Sequence, residues 1–170
     1  VYKYWKGKTT SDLATSFMAH ETITAIEHNM FTPGNYFYNG VGHVTVDYAK
    51  ILKYGFYGII ERAKEELSKL SFEQPEYITK TQFLNAVIES CTAAALYAKR
   101  YSALALELAD KCTDAKRKNE LLLISYNCSK VPMYGAENFY QACQSFWFVQ
   151  MLLQMESSGH SISPGRFDQY

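Results

Sequence analysis

The last twelve residues of the chain hold several side chains that could bind or transform a small polar molecule. Positions 159–170 read Gly-His-Ser-Ile-Ser-Pro-Gly-Arg-Phe-Asp-Gln-Tyr. They supply an imidazole, two hydroxyls, a guanidinium, a carboxylate and a phenol. Two glycines and a proline predict irregular backbone, and irregular loops on a rigid scaffold often carry function. A structural interpretation stays equally open, in which Arg166 pairs with Asp168 and the serines cap a turn.

His43 is a second candidate, because an imidazole titrates near neutral pH and can donate a proton. It lies in Val-Gly-His-Val at positions 41–44, and Asp47 follows four residues later. A single histidine among apolar neighbours is more often a satisfied core residue than a catalyst. The spacing alone therefore leaves both roles open.

Three other patterns fail the tests for familiar sites. Gly7-Lys8-Thr9 resembles the end of a phosphate loop, but Tyr2 occupies the position of the first glycine. The glycines of the 31–42 segment do not match a dinucleotide-binding loop. His20, Glu21, Glu27 and His28 lack both the Glu-x-x-His and the His-Glu-x-x-His spacing. We therefore expect no metal site.

Composition limits the class of protein. The 170 residues include 17 Lys and Arg against 17 Asp and Glu, so the net charge is zero. A neutral chain argues against a nucleic-acid binder, and 48% apolar residues exclude intrinsic disorder. The four cysteines form no Cys-x-x-Cys pair, which is typical of a reducing cytosol. The first residues lack the apolar stretch and cleavage site of a signal peptide, and the missing Met predicts processing or excision.

Apolar periodicity predicts a mostly helical chain with two irregular, glycine-rich segments. The expected helices cover 10–18, 21–29, 47–70, 79–111, 114–127 and 136–157, with a loop over 31–42. The last helix contains the most apolar stretch, 139–155, which four glutamines interrupt. That stretch is too short and too polar for a membrane span. We expect it to be a buried core helix.

Motifs in both irregular segments resemble those of glycyl radical enzymes, the pyruvate formate-lyase-like family. The first runs Asn35-Tyr-Phe-Tyr-Asn-Gly-Val-Gly-His-Val-Thr-Val-Asp-Tyr48. The second is Val131-Pro132 followed by Phe139-Tyr-Gln-Ala-Cys-Gln-Ser-Phe-Trp-Phe148, and the third is the 159–170 segment. The resemblance covers essentially the whole chain, and the last motif is specific.

The resemblance implies a mainly α chain, the helical N-terminal portion of a ten-stranded α/β barrel. Residues 1–170 would then be a partial pyruvate formate-lyase-like domain with Gly-rich active-site loops and few or no strands. Family members carry a Gly-Cys-Val-Glu cysteine loop and a radical-bearing glycine near the C-terminus. Neither motif is present here. We therefore expect this polypeptide alone to be inactive, and the full-length parent to be a glycyl radical lyase or dehydratase.

Site residues follow by resemblance to the diol dehydratases. Their Gly-His motif matches His43, a candidate proton donor to the leaving hydroxyl, and their His-Ser pair matches His160 and Ser161, which would hold substrate hydroxyls. The 4-hydroxyproline dehydratase branch adds contacts that resemble Ser163 and Asp168. We assign Arg166 to organising the loop.

The residue types fit radical elimination of water from an uncharged diol. A thiyl radical would abstract hydrogen from one hydroxyl-bearing carbon, and the neighbouring hydroxyl would leave as water. Hydroxide is a poor leaving group, so a positioned acid would help by roughly 10²–10⁴-fold. His160 and Ser161 offer neutral hydrogen bonds. A quaternary ammonium substrate would instead favour an aromatic cage.

Glycerol or propane-1,2-diol is therefore the expected substrate. Other branches stay open: 4-hydroxyproline dehydratase, choline trimethylamine-lyase and formate acetyltransferase. A non-catalytic helical scaffold or binding domain is the alternative of a different class. The resemblance implies no cofactor bound to these residues; a radical-activating enzyme using S-adenosylmethionine and an iron–sulfur cluster would install the parent's glycyl radical.

The resemblance also implies a homodimeric, cytoplasmic parent in an anaerobic bacterium, with residence in a bacterial microcompartment left open. We expect neither nucleic acid nor membrane among its partners.

Overall fold

The computed structural model describes residues 2–32, 42–157 and 161–170 and is mostly helical. The helices are α1 (Tyr2–Trp5), α2 (Thr10–Ser16), α3 (His20–Glu27), α4 (Tyr48–Ser68), α5 (Tyr77–Lys111), α6 (Ala115–Lys130) and α7 (Phe139–Ser157). Strands β1 (Val44–Thr45) and β2 (Ile162–Ser163) pair with each other, and a 3₁₀ helix covers Phe167–Gln169. The predicted helix-rich chain with few strands is confirmed. The loop expected over 31–42 lies largely outside the described residues.

The chain divides into two compact units. The smaller comprises Val1–Val44 with Leu153–Ser163, and the larger comprises Thr45–Leu152 with Pro164–Tyr170. In the smaller unit, α2 begins at Thr10, where the sequence predicts it, and Thr9 is its N-cap. The Thr9 hydroxyl accepts the Asp12 amide at 3.1 Å, and the Asp12 carboxylate accepts the Thr9 amide at 3.1 Å. The Thr9 hydroxyl also donates to the Asp12 carboxylate at 2.6 Å, and this hydrogen bond, followed by the one from the Thr9 amide, lowers the pKa of Asp12.

The larger unit is built around α5, which packs against α4 on one side and α6 on the other. Its contact face is made of buried alanines: Ala94, Ala95, Ala98, Ala105 and Ala109. Small side chains let helix backbones approach closely. Reciprocal hydrogen bonds between Ser102 and Ser125, each hydroxyl donating to the other's carbonyl oxygen at 2.8 Å, join α5 to α6. Phe148 of α7, 2% exposed, packs on Ala98 and Cys128 and completes this core.

Helix α4 differs from the continuous helix expected over 47–70. It begins after Asp47, whose carboxylate accepts the Lys50 amide, and its backbone breaks at Gly55 (φ 63°, ψ −173°). There the Phe56 amide donates to the Pro132 carbonyl at 2.9 Å and the Tyr57 amide to the Met133 carbonyl at 2.8 Å. The break therefore exchanges helical hydrogen bonds for bonds to the segment between α6 and α7.

The buried core helix expected over 136–157 is wrong in two respects. It starts at Phe139, and only one side of it is buried. Gln141, Ser145 and Phe148 are inside, whereas Phe139 is 83% exposed and Trp147 62% exposed. Within the described ranges, no helix has the length and apolarity that crossing a bilayer requires.

Candidate functional site

His43 and Ser161 lie side by side in the smaller unit. The His43 amide donates to the Ser161 carbonyl oxygen at 2.9 Å. Each residue directly precedes one strand of the two-stranded sheet, His43 before β1 and Ser161 before β2. The chain therefore brings together two predicted site residues that are 118 positions apart.

Both residues have a left-handed backbone, with φ of 61° at His43 and 54° at Ser161. Residues with a Cβ seldom adopt this conformation. Each such residue costs of order 1–3 kcal/mol and persists only where its surroundings enforce it. Strain of this kind concentrates at ligand-binding and catalytic positions. Two adjacent strained residues with an imidazole and a hydroxyl, both exposed, therefore mark this end of the sheet as the candidate site.

Ser163 is exposed at the end of β2, in the same unit. His160 lies outside the described residues, and so do 34–40 of the glycine-rich segment. The structure thus brings His43, Ser161 and Ser163 to one small sheet.

Asp168 and Arg166 belong to the larger unit, in the 3₁₀ turn at 167–169. The Asp168 carboxylate accepts the Gln169 side-chain amide at 2.7 Å, and the Arg166 carbonyl accepts the Gln169 backbone amide at 2.8 Å. Among residues 161–170, the Arg166 guanidinium forms no ion pair with Asp168. The loop-organising contact that is visible for Arg166 is therefore made by its backbone.

An aromatic cleft of about 320 Å³ lies beside this turn, wholly within the larger unit. Asp168 and Cys143 line it together with apolar groups, chiefly Tyr48, Phe139, Phe146, Phe167 and Tyr170. The Tyr48 ring is 0% exposed and lies 4.8 Å from Phe146 and 5.9 Å from Tyr170, centroid to centroid. Burial, and secondarily Tyr170, raises the pKa of Tyr48 to about 12.

This cleft was missed by the motif analysis. Its aromatic rings come from α4, from α7 and from residues 167–170. Within the two helices, the spacing of these rings does not differ from that of any half-buried helix face. The one available signal was the Pro164-Gly165 pair, because a glycine in a turn can carry positive φ. Gly165 does so, with φ of 69°.

Two of the four cysteines, Cys91 and Cys128, do not resemble reactive thiols on an exposed loop. Cys91 and Cys128 lie in α5 and α6, and burial raises the pKa of both, that of Cys128 to about 11. All four thiols are free. In the part of the chain that the structure describes, no group of three or more His, Cys, Asp or Glu side chains could hold a metal ion.

Comparison with known proteins agrees with the resemblance of the motifs. The family model described as "Pyruvate formate lyase-like" matches residues 1–170. The (2S)-3-sulfopropanediol dehydratase of Klebsiella oxytoca is 40% identical over 170 residues, which are 99% of this chain and 21% of that enzyme. The chain thus spans about a fifth of the length of this curated relative.

Two solved structures are more similar. One, on 1,2-propanediol dehydration in Roseburia inulinivorans, is 58% identical with a TM-score of 0.83, covering 99% of this chain and 20% of that one. The other, the glycerol-bound B12-independent glycerol dehydratase of Clostridium butyricum, is 57% identical with a TM-score of 0.82, covering 99% and 22%. A family match along the whole length, together with this identity and fold, shows that the chain belongs to the pyruvate formate lyase-like family of glycyl radical enzymes.

Proposed function

We propose that residues 1–170 form part of the substrate pocket of a glycyl radical dehydratase that removes water from a small neutral diol, glycerol or propane-1,2-diol. The observation that carries this proposal is the strained pair of His43 and Ser161, joined by the 2.9 Å backbone hydrogen bond. This pair presents a potential proton donor beside a neutral hydrogen-bonding group. The identities of 58% and 57% to structures concerned with propanediol and glycerol support the same substrate class.

In this proposal the chain's own residues bind the diol and manage its protons. Ser161, with His160 and Ser163, hydrogen-bonds the substrate hydroxyls. His43 gives a proton to the departing hydroxyl, so that water rather than hydroxide leaves. The rest of the full-length protein supplies a radical that removes hydrogen from the adjacent carbon. Asp168 accepts a hydrogen bond from substrate, and Arg166 organises the loop.

The radical belongs to the remainder of the protein. Cys91 is half-buried and Cys128 is buried, both lie in helices with raised pKa values, and neither fits a catalytic thiol. We therefore propose that the 170-residue chain alone is inactive and that the full-length enzyme, a cytoplasmic homodimer, is activated by an S-adenosylmethionine-dependent iron–sulfur enzyme.

The substrate test uses the full-length protein, anaerobically activated and normalised to its radical content by electron paramagnetic resonance. It is offered glycerol, propane-1,2-diol, hydroxyproline, choline and (2S)-3-sulfopropanediol. We expect turnover of at least one of the two neutral diols. If neither diol is turned over, the proposed substrate class is wrong. If (2S)-3-sulfopropanediol alone is turned over, the substrate is an anionic diol. The 40% identical relative makes that second candidate specific.

The acid role of His43 predicts that His43→Ala lowers kcat by roughly 10²–10⁴-fold. Steady-state kinetics on the preferred diol measure the loss, and circular dichroism checks that the fold persists. The matched control is His28→Ala at the C-cap of α3, because the exposed His28 ring contacts only the Thr24 carbonyl oxygen of the last helical turn among the contacts described. Unchanged turnover in His43→Ala would refute the acid role.

A further inference from the structure

Gly165 lies where the tail leaves β2 and enters the turn that carries Asp168. Its φ of 69° is in the left-handed region, which any residue with a Cβ adopts at a cost. A Cβ there would come within 2.6 Å of the Thr45 Cγ2 and 2.7 Å of the Tyr170 hydroxyl. The conformation therefore favours glycine, and an added Cβ would have to displace the Thr45 and Tyr170 side chains.

Of the two side chains beside Gly165, that of Tyr170 is supported from behind. Tyr170 packs against Tyr48, whose ring is completely buried. Tyr48 in turn packs against Phe146 of α7. Displacement of Tyr170 by an added methyl group would thus push against the packed interior of the larger unit, which resists deformation.

Asp168 lies on the short turn between Gly165 and Tyr170. Phe167 packs on Phe146 with ring centroids 4.7 Å apart, and the Gln169 amide closes the turn on the Arg166 carbonyl. The carboxylate of Asp168 lines the aromatic cleft. Its location is thereby set by the ring contact before it, by Tyr170 after it, and by the close approach of Gly165 to Thr45 and Tyr170.

We propose that Gly165 is a positioning residue, whose close approach to Thr45 and Tyr170 sets the place of the Asp168 carboxylate for hydrogen bonding to substrate. This inference rests on the proposed function and deepens it. The substrate group concerned is a hydroxyl that donates to the carboxylate. A misplacement of about 1 Å in such a group can cost up to 100-fold in rate.

The kinetic test compares Gly165→Ala with wild type in the full-length, activated enzyme on its preferred diol. We expect KM to rise by about tenfold or more, with a smaller change in kcat per radical. Gly7→Ala is the matched control, since Gly7 has a φ of 77° but no atom within 4 Å of an added Cβ. An unchanged KM in Gly165→Ala would overturn the proposal.

A double-mutant cycle separates positioning from general damage. In an Asp168→Asn background, Gly165→Ala should raise KM by less than about twofold, because the carboxylate it would misplace is gone. Adding Thr45→Ser to Gly165→Ala removes the Thr45 Cγ2 and should recover part of the affinity. Equal effects of Gly165→Ala in both backgrounds would contradict action through Asp168.

Crystal structures of full-length wild type and Gly165→Ala give a readout that needs no turnover. We expect the Asp168 carboxylate to move by about 1 Å relative to Phe146. A carboxylate that stays in place overturns the inference whatever the activity. Lack of diol turnover by the wild type would instead refute the proposed function, and the displacement would still decide the role of Gly165.

Discussion

His43 and Ser161 each adopt a backbone conformation that costs a residue with a Cβ about 1–2 kcal/mol. Glycine adopts it freely. If these side chains are kept for function, substitution by glycine should raise stability and lower activity at both positions.

We predict that His43→Gly raises the free energy of unfolding by up to about 1 kcal/mol, while kcat falls by the roughly 10²–10⁴-fold expected for loss of the imidazole. Urea unfolding of the full-length protein measures the first effect and steady-state kinetics the second. Asn29→Gly is the control: asparagine tolerates its φ of 54° better, so a smaller gain is expected and activity should persist. A destabilised His43→Gly would mean that side-chain contacts outweigh the backbone strain.

Tyr48 combines complete burial with a hydroxyl that has no hydrogen-bond partner among the described residues. A buried, unpaired polar group costs about 1–3 kcal/mol. The folded pKa of about 12 exceeds the unfolded value near 10, so the folded state keeps the phenol proton more tightly. The stabilisation linked to that proton is complete below about pH 10 and is lost as the pH rises from 10 to 12.

Tyr48→Phe should therefore be neutral or stabilising by about 1 kcal/mol at pH 8. Its advantage over wild type should widen between pH 10 and 12, because phenylalanine has no proton to lose. Chemical denaturation of both full-length proteins at pH 8, 10 and 11.5 measures the difference, in which shared titrations cancel. Destabilisation at pH 8 would show that the hydroxyl is hydrogen-bonded in the full-length protein.

At the scale of elements, the helices follow from apolar spacing, but the break in α4 does not. The periodicity continues through Gly55 because residues on both sides of it still face α5. The cause of the break lies with Met133 and Tyr134, far along the chain, whose backbone fills the space beside Gly55. The local spacing of apolar residues indicates which side of a helix is buried. It carries no information on a backbone segment that comes from a distant part of the sequence. The same contrast holds for the candidate site. The family motifs predicted His43, Ser161 and Asp168 as site residues, whereas the aromatic cleft could be found only from the fold.

Two glycines at this break, Gly55 and Gly135, together with the distant Gly7, predict a graded series of stability losses. Gly7→Ala tests positive φ alone, Gly135→Ala tests close approach to Lys53 alone, and Gly55→Ala combines both effects. We expect losses of about 1 kcal/mol for Gly7→Ala, 1–3 kcal/mol for Gly135→Ala, and at least about 3 kcal/mol for Gly55→Ala. Urea unfolding of the full-length variants gives the order. A Gly55→Ala no worse than Gly7→Ala would contradict the close packing at the break.

At the scale of the molecule, many large apolar side chains stay exposed on the described surface. Along α5, α6 and α7 they include Leu104, Leu108, Leu123, Tyr126, Phe139 and Trp147. Large apolar surface that is exposed in this way often marks interaction sites. Since the chain spans about a fifth of the length of its relatives, the rest of a longer protein would account for the partner surface.

Residues 1–170 produced alone should therefore associate and bind a hydrophobic dye. Sedimentation velocity and dye fluorescence measure both properties, with the full-length protein as the control that binds little dye per residue. A monodisperse monomer without dye binding would contradict this interpretation of the exposed surface.

The buried alanines of α5 restrict which side chains can be accommodated where this helix meets its neighbours. Ala98 and Ala109 are almost completely buried and offer neighbours little more than backbone and methyl groups. A larger side chain at either position would have to displace the elements packed against it, which is costly in a close-packed interior. The longest helix that the structure describes is therefore tightly restricted in sequence at these positions of its inner face.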